Sequence, residues 1–428
     1  MIKSQNTLNK FEIKYLSLSF SALIIGLMFP YGFPLFGSLV FLQFLYLLLI
    51  RKKIIIFTKE LFTFYFLIVI FLCAQLQTLG FDDHTKKYFI NLISIMFFII
   101  NALNILKNYD LFKNFYIQAQ RIAFVLAVCI AVFSMYKFYL LLNGIKISFL
   151  QNGREYPWGS SLVTDYNFSS LGYILSILFG YSLFKKSRSL ITMFFLLGGI
   201  SIMMITVITS GSRRGLVIIL VIIFFWIIKS ILSKYSFYRM KIKKVYMKKK
   251  IAYLLLLSII FISIDNISLT NINTSELNKL LNRAETLING DNGHSSFSSR
   301  EIRWNYAGDI INNFSWYQML IGDGYRYHYL YGEKDFSHDG VKEGYPHNIL
   351  ISYFLFSGTL GLFALLIFYY QTIILYIRYK KYLKEFFYFF IIATVFAMTS
   401  GDNLYGVKLY TVSFVLPFLF QYSLKHKG

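Results

Sequence analysis

His347 and Asn348, followed by Gly358 and Gly361, form the most unusual grouping of chemically able residues in this sequence, and Pro346 precedes them where a long polar stretch turns apolar. An imidazole at such a boundary is wet enough to exchange protons and ordinarily titrates near neutrality, as a general base should. Glycines three residues apart stand one helical turn apart and let another helix approach closely. The same residues also describe an interfacial histidine above an ordinary glycine packing face. A second grouping, Ser210-Gly211-Ser212-Arg213-Arg214-Gly215, breaks two apolar stretches. Drawing a guanidinium to the centre of a bilayer costs about 2.5 to 3.5 kcal/mol. Arginine there must snorkel or meet an anion such as a lipid diphosphate, with Arg213 the first candidate and Arg214 the second. A short hairpin whose arginines touch phospholipid head groups is the alternative.

The third grouping is Ser299-Arg300-Glu301-Ile302-Arg303-Trp304. On a helix Arg300 and Trp304 share a face, and guanidinium binds phosphate through a planar fork that lysine lacks. Arg300 could close on a diphosphate, with Arg303 beside it, or pair with Glu301 or Asp309 on a solvated surface. Asp82-Asp83-His84 and the set Asp335, His338 and Asp339 could attract a hard divalent cation, but nothing in their spacing requires one. Tyr156, Trp158, Tyr325, Tyr327, Tyr329 and Tyr331 could stack on sugar rings; interfacial anchoring explains them equally well.

The elements that must position these residues are apolar helices. The chain has 428 residues, is 57% hydrophobic and has a mean hydropathy of +0.56, too apolar for one soluble core. Its net charge of +23 sits in short runs between apolar stretches, a loop pattern that argues against a nucleic-acid partner. Spans of about 20 apolar residues give about twelve membrane helices. These run over 15–30, 34–50, 61–79, 88–106, 122–142, 167–184, 190–210, 213–232, 251–265, 347–376, 386–400 and 408–424. With both termini cytoplasmic, the basic loops around Arg51, Lys107, Lys185, Lys234 to Lys250 and Arg378 all face inward, as the positive-inside rule requires. The basic loop from Lys234 could also hold anionic lipids.

The reading therefore predicts an all-α polytopic membrane protein, one integral membrane domain over 1–428. Its first apolar stretch is expected to be a retained helix, because no small-x-small cleavage site follows. One large external loop, 266–346, separates spans nine and ten and carries half of the acidic residues. Within it, Ser299 to Leu320 has apolar residues near helical spacing and Gly322-Asp323-Gly324 ends the pattern, so a helix and a tight turn are expected. A smaller outer loop runs from Asn143 to about Tyr166. Cys73 and Cys129 lie inside apolar stretches, so neither a disulfide nor a metal thiolate is expected.

Together these motifs resemble the O-antigen ligase and O-antigen polymerase superfamily, most clearly over residues 165–365. Ser212-Arg213 is similar to its Ser-Arg element, Arg300 with Trp304 to its Arg-x-x-x-Trp element, and Gly322-Asp323-Gly324 to the Gly-x-Gly that follows. His347-Asn348 with Gly358 and Gly361 fits its histidine motif, and Asp165-Tyr166-Asn167-Phe168-Ser169 is similar to an Asn-containing element near the sixth span. Arg214 departs from the pattern, where members often have a smaller residue.

The resemblance implies a glycosyltransferase of the C type in the bacterial cytoplasmic membrane, using neither metal nor other cofactor. It implies a polyprenyl-diphosphate-linked oligosaccharide donor, a glycan or lipid-linked acceptor, and contact with membrane lipids. Arg213 and Arg300 would hold the leaving diphosphate and His347 would take the acceptor's proton, with Arg214, Arg303, Trp304, Asn348 and Tyr325 binding substrate. A polymerase is the leading expectation, and a ligase to lipid or protein would use the same residues. From another class, a flippase for the same lipid-linked sugars would share the span count, though the one-sided loop and the lack of repeated halves speak against it. A membrane protein without catalysis is the third class.

Overall fold

The computed structural model of the chain describes residues 2–51, 53–77, 83–150, 156–223, 278, 282, 298–333, 345–400 and 408–425. Among them there is no strand. Peptide groups surrounded by hydrocarbon must be satisfied within their own segment, and a chain so rich in Phe, Leu and Ile meets that demand as helix. The elements are α1 (Ile2–Ile25), α2 (Gly32–Ile50), α3 (Phe62–Gln77), α4 (Asp83–Ile105), α5 (Tyr109–Leu142), α6 (Tyr166–Lys186) and α7 (Leu190–Thr209). They continue with α8 over 213–223, α9 (Ser298–Asn312), α10 (Trp316–Ile321), α11 (Arg326–Glu333), α12 (Ile349–Tyr379), α13 (Lys384–Ser400) and α14 (Lys408–Lys425).

Among the described residues, 7 segments are long and apolar enough to cross a membrane: α2, Lys59–Leu76, Tyr88–Ile105, α5, α6, α7 and α12. The protein is a polytopic helical membrane protein. Of the other expected stretches, 15–30 is helical as far as Ile25, 386–400 and 408–424 are helical, and 213–232 is helical over its described part, 213–223, but none is among these; 224–232 and 251–265 lie outside the described residues. So does much of the loop expected over 266–346.

The chain divides into two compact units. The first comprises Met1–Ser19, Gly37–Phe115 and Asp291–Gly428; the second comprises Phe20–Phe36 and Tyr116–Gly290. At the centre of the first stands α14, buried from Lys408 to Phe420 and packed on α4, α12 and α13. Aromatic rings fill this core: Phe368 stacks on Phe418 at 5.6 Å, and Phe414 meets Phe390 at 4.9 Å and Tyr369 at 4.6 Å. Two polar ties set the register of the apolar helices, Thr63 Oγ1 to Gln371 Oε1 at 2.8 Å and Lys425 to Glu60 at 3.0 Å. In the second unit α6 and α7 form a hairpin. A Cβ at Gly180 would stand 2.4 Å from the Phe124 ring and one at Gly199 2.7 Å from it, so α5 approaches both helices where side chains are absent.

The segment before α12 is built differently from the single helix and turn expected. After α9 the chain breaks at residues 313–315, where the Ser315 amide donates to Gln318 Oε1 at 2.9 Å and starts the short α10. The Gly322-Asp323-Gly324 turn then docks on α12, which is itself interrupted. Gly358 lies at φ 62 and ψ −161, a region essentially closed to residues with a Cβ. The amides of Asp323 and Gly324 donate to the carbonyls of Leu355 and Phe356, each at 3.0 Å, replacing helical partners lost at the break. The glycines therefore do not act as one helical packing face. At Gly358 a Cβ would lie 2.4 Å from the Leu320 backbone, whereas at Gly361 it would collide with Ser357 one turn earlier.

Gly358→Ala should therefore lose about 2 to 4 kcal/mol, through strained backbone and a clash with an unyielding chain. Gly198→Ala, with nothing within 4 Å of the added Cβ, should change stability by less than about 1 kcal/mol. Chemical denaturation of the two variants in detergent micelles measures the difference.

Candidate functional site

His347 is the only non-glycine residue at positive φ among the described residues, at φ 57. The left-handed region costs an ordinary residue about 1 to 2 kcal/mol, so surrounding contacts must hold it there. Arg303 Nη1 donates to the Tyr345 carbonyl at 3.2 Å, and Trp304 Nε1 donates to the Pro346 carbonyl at 2.9 Å. The Tyr345 ring lies 4.2 Å from the imidazole, centroid to centroid. On the far side Asn348 caps α12, its Oδ1 accepting from the amides of Leu350 at 3.0 Å and Ile351 at 3.3 Å. The histidine is thus gripped by both neighbours in sequence.

The donors are themselves fixed. The Tyr331 hydroxyl donates to the Arg303 carbonyl and the Tyr306 hydroxyl to the Leu330 carbonyl at 3.0 Å, tying α9 to α11. Burial lowers the pKa of the half-buried Arg303, with Tyr345 and Tyr331 acting against it. An arginine nevertheless remains charged. Arg300, half-buried, stands one turn before Trp304 on α9. The first unit thus gathers Arg303, Trp304, His347 and Asn348, and directs the donors of Arg303 and Trp304 to the chain leading into His347. Tyr325 differs from the expectation that it stacks on a sugar. It is 1% exposed and stacked on Tyr88 at 5.2 Å, with Phe356 at 4.6 Å, so it anchors the turn beneath α12 and offers no open ring face.

Arg213 and Arg214 belong to the second unit, where they open α8. Ser212 caps this helix: its Oγ accepts from the Gly215 amide at 3.0 Å and donates to Asn167 Oδ1 at 3.2 Å. The Ser-Arg element therefore meets the Asn-containing element at the start of α6, which Asp165 caps through the Phe168 amide at 3.2 Å. Both arginines fall in the first helical turn, the positive end of the helix dipole.

Spacing did not single out Lys137, Tyr345 or His328. Lys137 of α5 is fully buried, and its ammonium donates to the carbonyls of Pro157 and Gly159 while lying 4.6 Å from the Tyr156 ring centroid. It seats a loop whose Ser160 amide donates to the Thr209 carbonyl at 3.1 Å, at the end of α7 just before Ser210. A lysine inside an apolar span was the available signal. Tyr345 carried none. His328 is buried against Tyr327 at 4.5 Å, within the same aromatic layer as Tyr325. Asp335, His338 and Asp339, and the side chains of Asp82, Asp83 and His84, lie outside the described residues.

A helical membrane protein with a cationic helix start and a strained histidine on a re-entering segment is the class these features define. Residues 198–366 match the O-antigen ligase family, a stretch that includes Arg213, Arg300, Trp304, the glycine turn, His347, Gly358 and Gly361. The chain therefore carries an O-antigen ligase domain, the superfamily its motifs resemble. No curated protein and no solved structure matches the chain.

Trp304→Phe keeps an aromatic ring and removes only the donor to Pro346. One net hydrogen bond of about 1 kcal/mol would be lost, so amides over residues 347–351 should exchange with deuterium several-fold faster. Peptide-resolved exchange of the full-length protein in nanodiscs measures it, with α14 as the unchanged reference.

Proposed function

We propose that the protein is a polysaccharide polymerase joining polyprenyl-diphosphate-linked repeat units into O-antigen, capsule or exopolysaccharide chains at the outer face of the bacterial cytoplasmic membrane. The O-antigen ligase domain supports a ligase or polymerase role on glycans in the membrane. The observation that carries the reading further is the left-handed His347, held by Arg303, Trp304, Tyr345 and the Asn348 cap. Strain kept at the one non-glycine residue at positive φ among the described residues argues that the direction of that side chain matters.

In this reading an acceptor hydroxyl attacks the anomeric carbon of the donor. The new glycosidic bond forms as the bond to the diphosphate oxygen breaks, and the electron pair leaves with the diphosphate. Attack opposite the leaving group inverts the centre. His347 accepts the hydroxyl proton, so the exchange balances without a further reactant. The departing diphosphate gains one negative charge, and fixed cations aimed at developing charge contribute most to such a step. Arg213 and Arg300 take this role, with Arg214 next to Arg213. Arg303 and Trp304 act through the backbone they hold, as positioning residues.

His347→Gly separates chemistry from folding. Removing the left-handed strain should leave melting unchanged or slightly raised, while loss of the base should lower glycan transfer about 10²- to 10⁴-fold. Transfer is followed on gels of product made by the purified enzyme from lipid-linked repeats, and full activity in His347→Gly would refute the assignment. In cells, single-repeat product identifies a polymerase, whereas long chains stranded on the carrier lipid identify a ligase. Translocation of lipid-linked glycan in liposomes without new glycosidic bonds would overturn both in favour of a transporter.

A further inference from the structure

We infer that α10 is a membrane anchor: a short helix seated among the lipid head groups, with Trp316 and Tyr317 at the interface, fastening the segment that leads to His347 onto the bilayer surface. Its sequence is Trp-Tyr-Gln-Met-Leu-Ile, and not one of its residues is buried. Trp316 is 81% exposed and Tyr317 50%, with Met319, Leu320 and Ile321 also exposed. A helix of this length has no stability of its own in water, and five exposed apolar side chains among its six residues give it no reason to persist there. In a bilayer interface the same composition is favourable, because indole and phenol rings place an apolar body toward the acyl chains and a polar tip toward the head groups.

The level of α10 follows from α12. That helix has 31 residues, about 46 Å at 1.5 Å per residue, which exceeds a hydrocarbon core of about 30 Å. Its first part is covered by protein, with Ile349, Ser352, Tyr353, Leu355, Phe356 and Ser357 buried. An exposed apolar stripe then begins at Leu360 and continues through Phe363, Leu366, Tyr370 and Ile373 to Ile377. The stripe is about 26 Å long, close to one hydrocarbon thickness. Its upper end coincides with the place where α10 is fastened. Thr359 Oγ1 donates to the Met319 carbonyl at 3.1 Å, and the Leu320 backbone fills the space a Cβ at Gly358 would need. The exposed face of α10 therefore continues the lipid-facing surface of α12 at the boundary between acyl chains and head groups. Trp316 and Tyr317 stand where aromatic residues collect in membrane proteins.

The inference needs α12 to span the membrane and does not depend on glycan transfer, so it stands or falls separately from the proposed activity. The chain has 4 tryptophans, and the difference in emission between the full-length protein and Trp316→Phe isolates Trp316. Both are reconstituted in phosphatidylglycerol and phosphatidylethanolamine vesicles, with and without lipids brominated at shallow or deep acyl positions, and each is titrated with acrylamide. Trp316 emission should be lost most strongly to shallow bromines, less to deep ones, and little to acrylamide. Strong quenching by acrylamide without quenching by bromolipid would overturn the inference, because the helix would stand in water. Protection from both quenchers would overturn it equally, since protein would then cover the ring. Conservative replacement of an exposed side chain leaves folding intact, which an unchanged melting temperature of Trp316→Phe verifies.

Discussion

Two carbonyls in an apolar helix, those of Leu355 and Phe356, meet the amides of Asp323 and Gly324, and the arrangement of the external segment depends on that exchange. A membrane helix cannot leave a carbonyl unsatisfied without a cost of several kcal/mol. The break at Gly358 is tolerable only because another stretch of backbone supplies donors there. Backbone can come so close only where both partners lack a Cβ, and Gly322 and Gly358 meet that condition from the two sides. The junction fixes the height and direction of the Gly322–Gly324 turn. From it Tyr325 enters the layer of Phe71, Tyr88 and Phe356, α11 is aimed toward Arg303 through Tyr331, and α9 comes to hold the carbonyls before His347.

The second unit solves a related problem with charge. A buried ammonium is costly unless its donors find acceptors. Lys137 donates to the carbonyls of Pro157 and Gly159 and so holds an irregular loop against α5. That loop is bound in turn to the last turn of α7 by Ser160, through its amide to Thr209 and its hydroxyl to the Thr206 carbonyl at 2.7 Å. Irregular backbone in a helical membrane protein needs partners from the surrounding protein, and one lysine and one serine supply several of them here.

The regular part of the fold was legible in the sequence because hydrocarbon enforces a simple rule. Expected spans at 34–50, 167–184 and 190–210 became helices at Gly32–Ile50, Tyr166–Lys186 and Leu190–Thr209. Apolarity alone could not give the polar extensions. α1 begins at Ile2 and α5 at Tyr109, well before their apolar portions, because charged and amide residues continue a helix without strain beyond the lipid. The break in the loop helix was hidden because its signal is an asparagine, a phenylalanine and a capping serine, all compatible with helix surroundings. At the site, residue types and spacing pointed to the histidine, the arginines and the glycines. They did not reveal that Asn348 is a cap, that Trp304 holds a carbonyl, or that Tyr325 is core, since each depends on contacts more than twenty residues apart in sequence or on a local turn that spacing does not encode.

Two features run against what stability alone would select. At a left-handed position the inexpensive choices are glycine, then asparagine, yet His347 stands there with the asparagine one place later as a cap. In the first turn of a helix acidic residues are favoured by about 0.3 to 1 kcal/mol and cations are correspondingly disfavoured, yet α8 begins with Arg213 and Arg214. In the proposed reading each choice serves the reaction: the imidazole as the base, and the guanidinium pair at the helix start as the holder of an anion. Local rules broken without structural gain are expected where function has set the residue. Elsewhere these same segments follow the rules closely, with Ser212, Asp165 and Asn348 capping their helices and glycine at the tight turns. The departures are therefore selective, and they fall on a histidine and an arginine pair, the residue types that the proposed transfer from a diphosphate would use as base and as fixed positive charge.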